Sequence, residues 1–161
     1  NFEHWNNFVP IRLIEKGIDK NKIYWNVYDN YSADRMRLLG YCLNQKLKVL
    51  PEYATAYISI SKEELKRFNY QPGDSEGFVN YPLSIKGIVF SVIFIEHGSY
   101  IKISLRSKGK FYANKFSSEH FNGGGHRNAA GGYSEKPLKE TLEAFENALK
   151  DYRDELLNSK L

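Results

Sequence analysis

Gly87-Ile88-Val89-Phe90-Ser91-Val92-Ile93-Phe94-Ile95-Glu96, followed after a short break by Tyr100-Ile101-Lys102-Ile103-Ser104-Leu105-Arg106, decides the fold. The first segment is apolar on both faces, the composition of a central strand covered from each side. His97-Gly98 fits a two-residue hairpin loop, which returns the chain antiparallel. In the return strand Ile101, Ile103 and Leu105 point one way and Lys102, Ser104 and Arg106 the other. One face of this hairpin is core; the opposite face offers a strip of hydrogen-bond donors.

Working outward toward the N-terminus, Thr55-Ala56-Tyr57-Ile58-Ser59-Ile60 alternates with period two and reads as a half-buried strand. Ser61-Lys62-Glu63-Glu64 is a capping box, stapled by Ile60 and Leu65, and opens a short helix over about 62–68. Gln71-Pro72-Gly73-Asp74 is a turn, and 75–84 reads as a further helix. Residues 8–47 read as helices: Ile11, Ile14 and Ile18 on a first one stopped by Gly17, then one capped by Asp19 that carries Ile23 and Val27. Ser32 caps a longer helix with Asp34 in its first turn and Met36, Leu39, Leu43 and Leu47 as its apolar face; Pro51 ends it.

Toward the C-terminus, 111–121 reads as a helix and Asn122-Gly123-Gly124-Gly125-His126 as an interruption. Pro137 then opens a last helix. On it Leu138, Leu142, Phe145, Leu149, Tyr152 and Leu156 form the stripe that packs on a sheet or a partner. The reading is an α+β fold: a mixed, largely antiparallel sheet with helices packed on it, preceded by a helical linker. Residues 1–47 form the connector and 48–161 the main domain.

Composition agrees with a folded chain of one main domain: 161 residues, 42% hydrophobic and 26% charged, which excludes disordered, collagenous and coiled-coil classes. The one cysteine, Cys42, forms no internal disulfide, so a reducing, cytoplasmic setting is the expectation. The longest apolar run is about eight residues, far below the roughly 20 that cross a bilayer. Neither a membrane partner nor a signal peptide is expected. The net charge of +4 is regional: residues 99–128 carry six basic side chains against Glu119 alone. Phosphate-bearing partners suit such a patch.

Chemistry concentrates in the same region. Five of the 12 glycines fall within residues 123–132, a density that costs backbone entropy and fits a backbone approached closely by another body. Successive amides of Gly123, Gly124 and Gly125 suit an anion, with His126 and Arg127 as side-chain donors and Asn128 able to read a hydroxyl or a base edge. No Gly-Lys-Ser/Thr follows, so a P-loop fits poorly. Arg106, at the end of the donor strip beside Ser107-Lys108-Gly109, is placed to grip a phosphate bidentately. His120 and His126 straddle a glycine stretch without metal-ligand spacing, so no metal is expected in this chain. Most of the many Tyr and Phe rings are core, while one beside the basic strip could stack a base.

Gly123-Gly124-Gly125-His126 followed by Asn128-Ala129-Ala130-Gly131-Gly132, with Ser104-Leu105-Arg106-Ser107-Lys108-Gly109 upstream, resembles the C-terminal, DHH-associated domain of the DHH-family phosphoesterases. The nano-RNase/pAp-phosphatase branch, with its exopolyphosphatase-related members, is the nearest. The resemblance extends through 32–41, 50–53 and 73–81 and covers about residues 13–155. It implies an N-terminal domain holding two metal ions, usually manganese, on Asp and His residues that include an Asp-His-His motif. This chain contains neither Asp-His-His nor Asp-x-Asp, so the hydrolytic centre is expected outside it, on a longer parent protein.

What the resemblance implies for function is the substrate-binding part of a metal-dependent phosphoesterase. Its substrates would be short oligoribonucleotides or 3′-phosphoadenosine 5′-phosphate, with a cyclic dinucleotide or polyphosphate also open. Gly123, Gly124, Gly125, His126 and Arg106 would hold the terminal phosphate, with Ser107 and Asn128 as second-tier candidates. A homodimer, and an N-terminal DHH domain of the same parent chain, are the implied partners. The alternatives are a stand-alone nucleic-acid-binding module without hydrolytic activity, and a dimerisation module using the 138–156 stripe.

Overall fold

The computed structural model describes residues 17, 19–28 and 30–159. The chain divides into two compact units, residues 1–33 and 34–161. In the first, Asp19 caps helix α1 (Lys20–Tyr28) as its sequence predicts, its Oδ1 accepting from the amides of Asn21 at 3.0 Å and Lys22 at 3.1 Å. Gly17 takes the left-handed conformation, φ +79°. The helix expected around Ile11, Ile14 and Ile18 lies outside the described residues.

Helix α2 (Ala33–Tyr41) leads into the second unit and is shorter than its sequence suggested. A π turn, Cys42–Lys46, follows, and Leu47–Leu50 is strand β1. The buried face is Arg35, Leu38, Leu39 and Cys42, while Met36 is 53% exposed. Leu39 belongs to both sets, and Leu43 and Leu47 are half-buried against the same core, so Met36 is the member of the expected face that turns outward. Because Leu38, Leu39 and Cys42 sit in the domain core, the segment read as connector up to residue 47 contributes to the domain from residue 34 onward.

The sheet has six strands in the order β1-β2-β3-β4-β6-β5: β2 (Thr55–Ile60), β3 (Phe90–His97), β4 (Tyr100–Ser107), β5 (Gly124–His126) and β6 (Ala129–Ser134) complete it. Every pair is antiparallel except β2 with β3. A parallel pair needs a crossover. Helix α3 (Lys62–Arg67), whose capping box Ser61/Glu64 forms as read, supplies it together with the turn at 71–74 and a 3₁₀ segment, Phe78–Ser84. The helix expected over 75–84 is therefore not an α-helix: Gly77 at φ +83° starts the 3₁₀ segment, and Pro82, without an N–H, sits inside it. In the β3–β4 hairpin His97 pairs with Tyr100, so the loop is Gly98-Ser99, one residue later than the sequence suggested. Strand β2, read as half-buried, is covered on both faces because strands flank it and a core lies above and below.

On one face Tyr57, Val92, Phe94, Ile103 and Leu105 pack against helices α4 (Ala113–His120), α5 (Leu138–Ala148) and α6 (Arg153–Asn158). Each buried Phe or Leu there contributes roughly 1.5–3 kcal/mol. The helix expected from Pro137 to beyond Leu156 breaks into α5 and α6 at a turn of i→i+3 bonds, Lys150 N–H to Asn147 and Tyr152 N–H to Leu149. Phe145, Leu149 and Leu156 are buried against the sheet, with Leu138, Leu142 and Tyr152 packed beside them. That stripe is core, which removes it as a dimerisation surface.

The other face carries a second core, Ile58, Ile60, Ile93 and Ile95 under Leu38, Leu39, Leu65, Phe78 and Val79. This core stops between two strands. Ile93 faces Ser104 in register, Ile95 faces Lys102, and Ser91 faces Arg106, so apolar side chains give way to polar ones from β3 to β4. The β4-β6-β5 half of this face is left open.

Candidate functional site

Arg106 pairs with Ala129 across β4 and β6, and His126 pairs with the same Ala129 across β5 and β6. Residues in register point to one face of a sheet, so the guanidinium and the imidazole rise on the same side with one small residue between them. The adjoining row is Ser104, Gly131 and Gly124, and the next is Lys102 and Tyr133. The open face is thus a floor of Gly124, Gly131 and Ala129, bounded by Arg106, His126 and Lys102.

The glycines divide by cause. At Gly123 a Cβ would lie 2.1 Å from the Gly131 carbonyl oxygen; at Gly132 one would lie 2.6 Å from the Phe121 oxygen. Gly125, at φ +139°, would bring one within 2.7 Å of the Ala129 oxygen. Those three are glycine because α4 and the hairpin press on them. Gly124 has nothing within 4 Å and Gly131 only an ordinary contact at 3.7 Å, so no internal packing requires either. Both lie side by side on the open floor.

The stretch 123–126, read as a loop of exposed amides, is instead mostly a strand. The Gly123 amide donates to the Ser117 carbonyl at 3.2 Å, and Gly124–His126 form β5 at the edge of the sheet. Gly124, Gly125 and His126 are exposed. What the segment presents is a bare edge strand with an imidazole at its end rather than a concave nest.

Ser107 and Asn128 occupy a different place from the one their sequence suggested. Ser107 is buried; its Oγ donates to the Phe111 carbonyl at 2.7 Å and accepts from Asn128 Nδ2 at 2.9 Å. The Asn128 carbonyl also accepts from the Ser107 amide at 3.0 Å. These two residues hold the Arg127-Asn128 turn against the end of β4, next to His126. Arg127 lies over the Tyr112 ring, 4.5 Å from its centroid, and Lys108 Nζ donates to the Leu83 carbonyl.

Arg106 is half-buried, its Nη1 donating to the Leu105 carbonyl at 2.9 Å. It lines a cavity of about 360 Å³ with Ser104, Lys102, Glu76 and Gly77. The wall opposite β4 depends on Arg35, a residue the sequence reading left without a role. Buried on α2, Arg35 donates from Nη2 to the Glu76 carbonyl at 2.9 Å and lies 5.1 Å from the Phe78 ring centroid. Its signal was present in the segments 32–41 and 73–81, which carry the two ends of this contact.

Among the described residues no group of three or more His, Cys, Asp or Glu is gathered as a metal would need. His120 packs against Phe116 and Tyr152. The two manganese ions that the resemblance implies belong, in that resemblance, to an N-terminal domain. No helix among the described residues is long and apolar enough to cross a membrane.

A six-stranded, largely antiparallel mixed sheet with helices packed on it defines a domain of the α+β class. Residues 51–156 match the family model of the DHHA1 domain, and the chain belongs to that family. An exopolyphosphatase-related protein from Bacteroides fragilis is 49% identical, with a TM-score of 0.90 over 97% of this chain. The pGpG-specific phosphodiesterase PggH from Vibrio cholerae shares the fold at 14% identity, with a TM-score of 0.51 over 78% of this chain. The chain spans 45% of the first protein and 40% of the second. Among curated protein sequences none matches the chain.

Proposed function

We propose that this chain is the substrate-binding part of a cytoplasmic, metal-dependent phosphoesterase that hydrolyses short oligoribonucleotides or 3′-phosphoadenosine 5′-phosphate. The observation that carries the reading is the shared register partner of Arg106 and His126, which puts two donors on one open face over a floor without side chains. A terminal phosphate fits between them: the guanidinium donates to it bidentately, the imidazole donates from the other side, and Gly124 and Gly131 let it approach the backbone. The 49% identical relative, described as exopolyphosphatase-related, supports phosphoryl hydrolysis for the parent protein.

In this reading an N-terminal DHH domain of the same parent chain supplies the two manganese ions, which activate water and stabilise the leaving oxygen. The role of the present domain is to hold and orient the substrate, in a homodimer of the parent protein. The test is to titrate 3′-phosphoadenosine 5′-phosphate and a 5′-phosphorylated dinucleotide against the protein and its Arg106→Ala and His126→Ala variants. Loss of a charge-assisted contact costs roughly 1.5–3 kcal/mol, about ten- to hundredfold in affinity. Equal affinity in all three proteins overturns the assignment. The salt dependence should be shallow, as for one gripped terminus; a steep slope would favour a module that tracks many phosphates.

A further inference from the structure

The open face continues past Lys102 toward the β3–β4 hairpin, where a cavity of about 880 Å³ is walled by Tyr70, His97, Tyr100 and Tyr133, with Glu135 at its edge. Lys102 lines both this cavity and the one that holds Arg106. His97 pairs with Tyr100 and Lys102 with Tyr133, so these side chains rise on the same face as Arg106. Tyr100 and Tyr133 are 42% and 41% exposed, although their rings are apolar. The His97 ring stacks on Tyr100 at 6.0 Å and 17°, and Tyr70 meets His97 edge-on at 6.2 Å. A stack of rings that stops in open space has room for one more planar member.

We propose that this aromatic cavity is a nucleobase subsite, holding the base farthest from the phosphate gripped at Arg106; the proposal rests on the phosphate reading above. The charge of the face separates the two ends. Arg106, His126 and Lys102 favour phosphates, whereas Glu135 repels an anion and accepts hydrogen bonds from the ring N–H or amino groups of a base. Stacking supplies the attraction and tolerates any base. Six residues of strand separate Arg106 from Tyr100, roughly 20 Å at about 3.3 Å per residue. A ligand that reaches both ends is therefore longer than a mononucleotide, and the subsite selects short oligonucleotides over mononucleotides.

The experiment compares a 5′-phosphorylated triadenylate with the same molecule lacking its base farthest from the phosphate. Both are titrated against the full-length protein in chelator, so that no cleavage intervenes. The complete molecule is expected to bind about tenfold or more tightly. Tyr100→Ala and Tyr133→Ala should each reduce that difference sharply while leaving the base-deleted molecule unaffected, and Tyr133→Phe should keep the difference. Unfolding curves of the variants establish that each is folded. Equal affinity for the two molecules in the wild-type protein, or loss of both alike in the tyrosine variants, overturns the subsite. The phosphate reading fails separately, if Arg106→Ala binds the base-deleted molecule as tightly as the wild type does. Absence of binding by either molecule overturns both.

Discussion

Arg106 and His126 are held one strand apart by Ala129, the register partner of each. Ala129 is small and half-buried, so the gap between guanidinium and imidazole is kept open by the absence of a side chain. Ala129→Leu would put a branched side chain into that gap without touching either donor. We expect at least a tenfold loss in affinity for a phosphorylated nucleotide. Stability should change by no more than about 1 kcal/mol, because the added atoms lie on the open face. Calorimetric titration read beside urea unfolding checks both.

The glycines of 123–132 should separate into two classes on substitution. Gly132→Ala would meet the Phe121 oxygen, and Gly123→Ala the Gly131 oxygen, both backbone atoms that cannot step aside. Each is expected to cost about 1–3 kcal/mol or more in unfolding free energy. Gly124→Ala has open space, and Gly131→Ala makes only an ordinary contact, so both should fold as the wild type does and lose affinity for the phosphorylated ligand. If Gly124→Ala and Gly131→Ala instead bind normally, the floor has no part in recognition.

How far the sequence carried this reading depended on the kind of signal. The two-faced apolar run ending at Glu96 and the alternation of 100–106 located β3, β4 and the polar strip, because a period of two can be read locally. Capping at Asp19 and Ser61 was equally local. The extent of α2, the 3₁₀ segment and the break between α5 and α6 were not legible, since tertiary packing chooses among stripes that the spacing allows. Nor could spacing show that Ser107 and Asn128 bond each other: their 21-residue separation closes only through the hairpin. The pairing of Arg106 and His126 with one alanine is likewise a property of sheet order.

The Ser107–Asn128 contact predicts an effect on stability that a purely ligand-binding residue would not show. Asn128→Ala removes the donor shared by Ser107 Oγ and the Phe111 carbonyl, which lies 3.2 Å from Nδ2. The expected cost is about 1–3 kcal/mol, from polar atoms left without their partner in a partly buried place. Thermal unfolding of the ligand-free variant measures it. An unchanged midpoint would return Asn128 to the list of direct ligand contacts.

Cys42 is fully buried, and burial first, then the nearby Glu64 carboxylate, pushes its thiol up to about 12, against a smaller opposite pull from Lys46. The thiolate is the reactive form. A thiol reagent at pH 8 should therefore modify the native protein no faster than it unfolds, and modify it at once in denaturant. Rapid labelling without denaturant would show that α2 and its π turn open on their own.

Tyr57, Glu146 and Lys48 form a cluster that links stability to pH at both ends of the scale. Tyr57, 4% exposed, donates its hydroxyl to Glu146, which also receives Lys48 Nζ at 2.8 Å. Burial, then the bond to Glu146, raises the Tyr57 phenol to about 12, with Lys48 pulling the other way. A folded value above the unfolded one, near 10, means the contribution is whole below pH 10 and is lost as pH rises through about 12. That contribution is on the order of 2 kcal/mol. For Glu146 burial pulls upward, but the bonds from Lys48 and Tyr57 outweigh it and leave the carboxyl below its ordinary value. Its share is present above the ordinary carboxylate range and disappears as pH falls through the lowered value. Urea unfolding of wild type and Tyr57→Phe between pH 8 and pH 12 should show a steeper alkaline decline in the wild type. Parallel curves would mean that the Tyr57 phenol ionises no differently in the folded and unfolded chains.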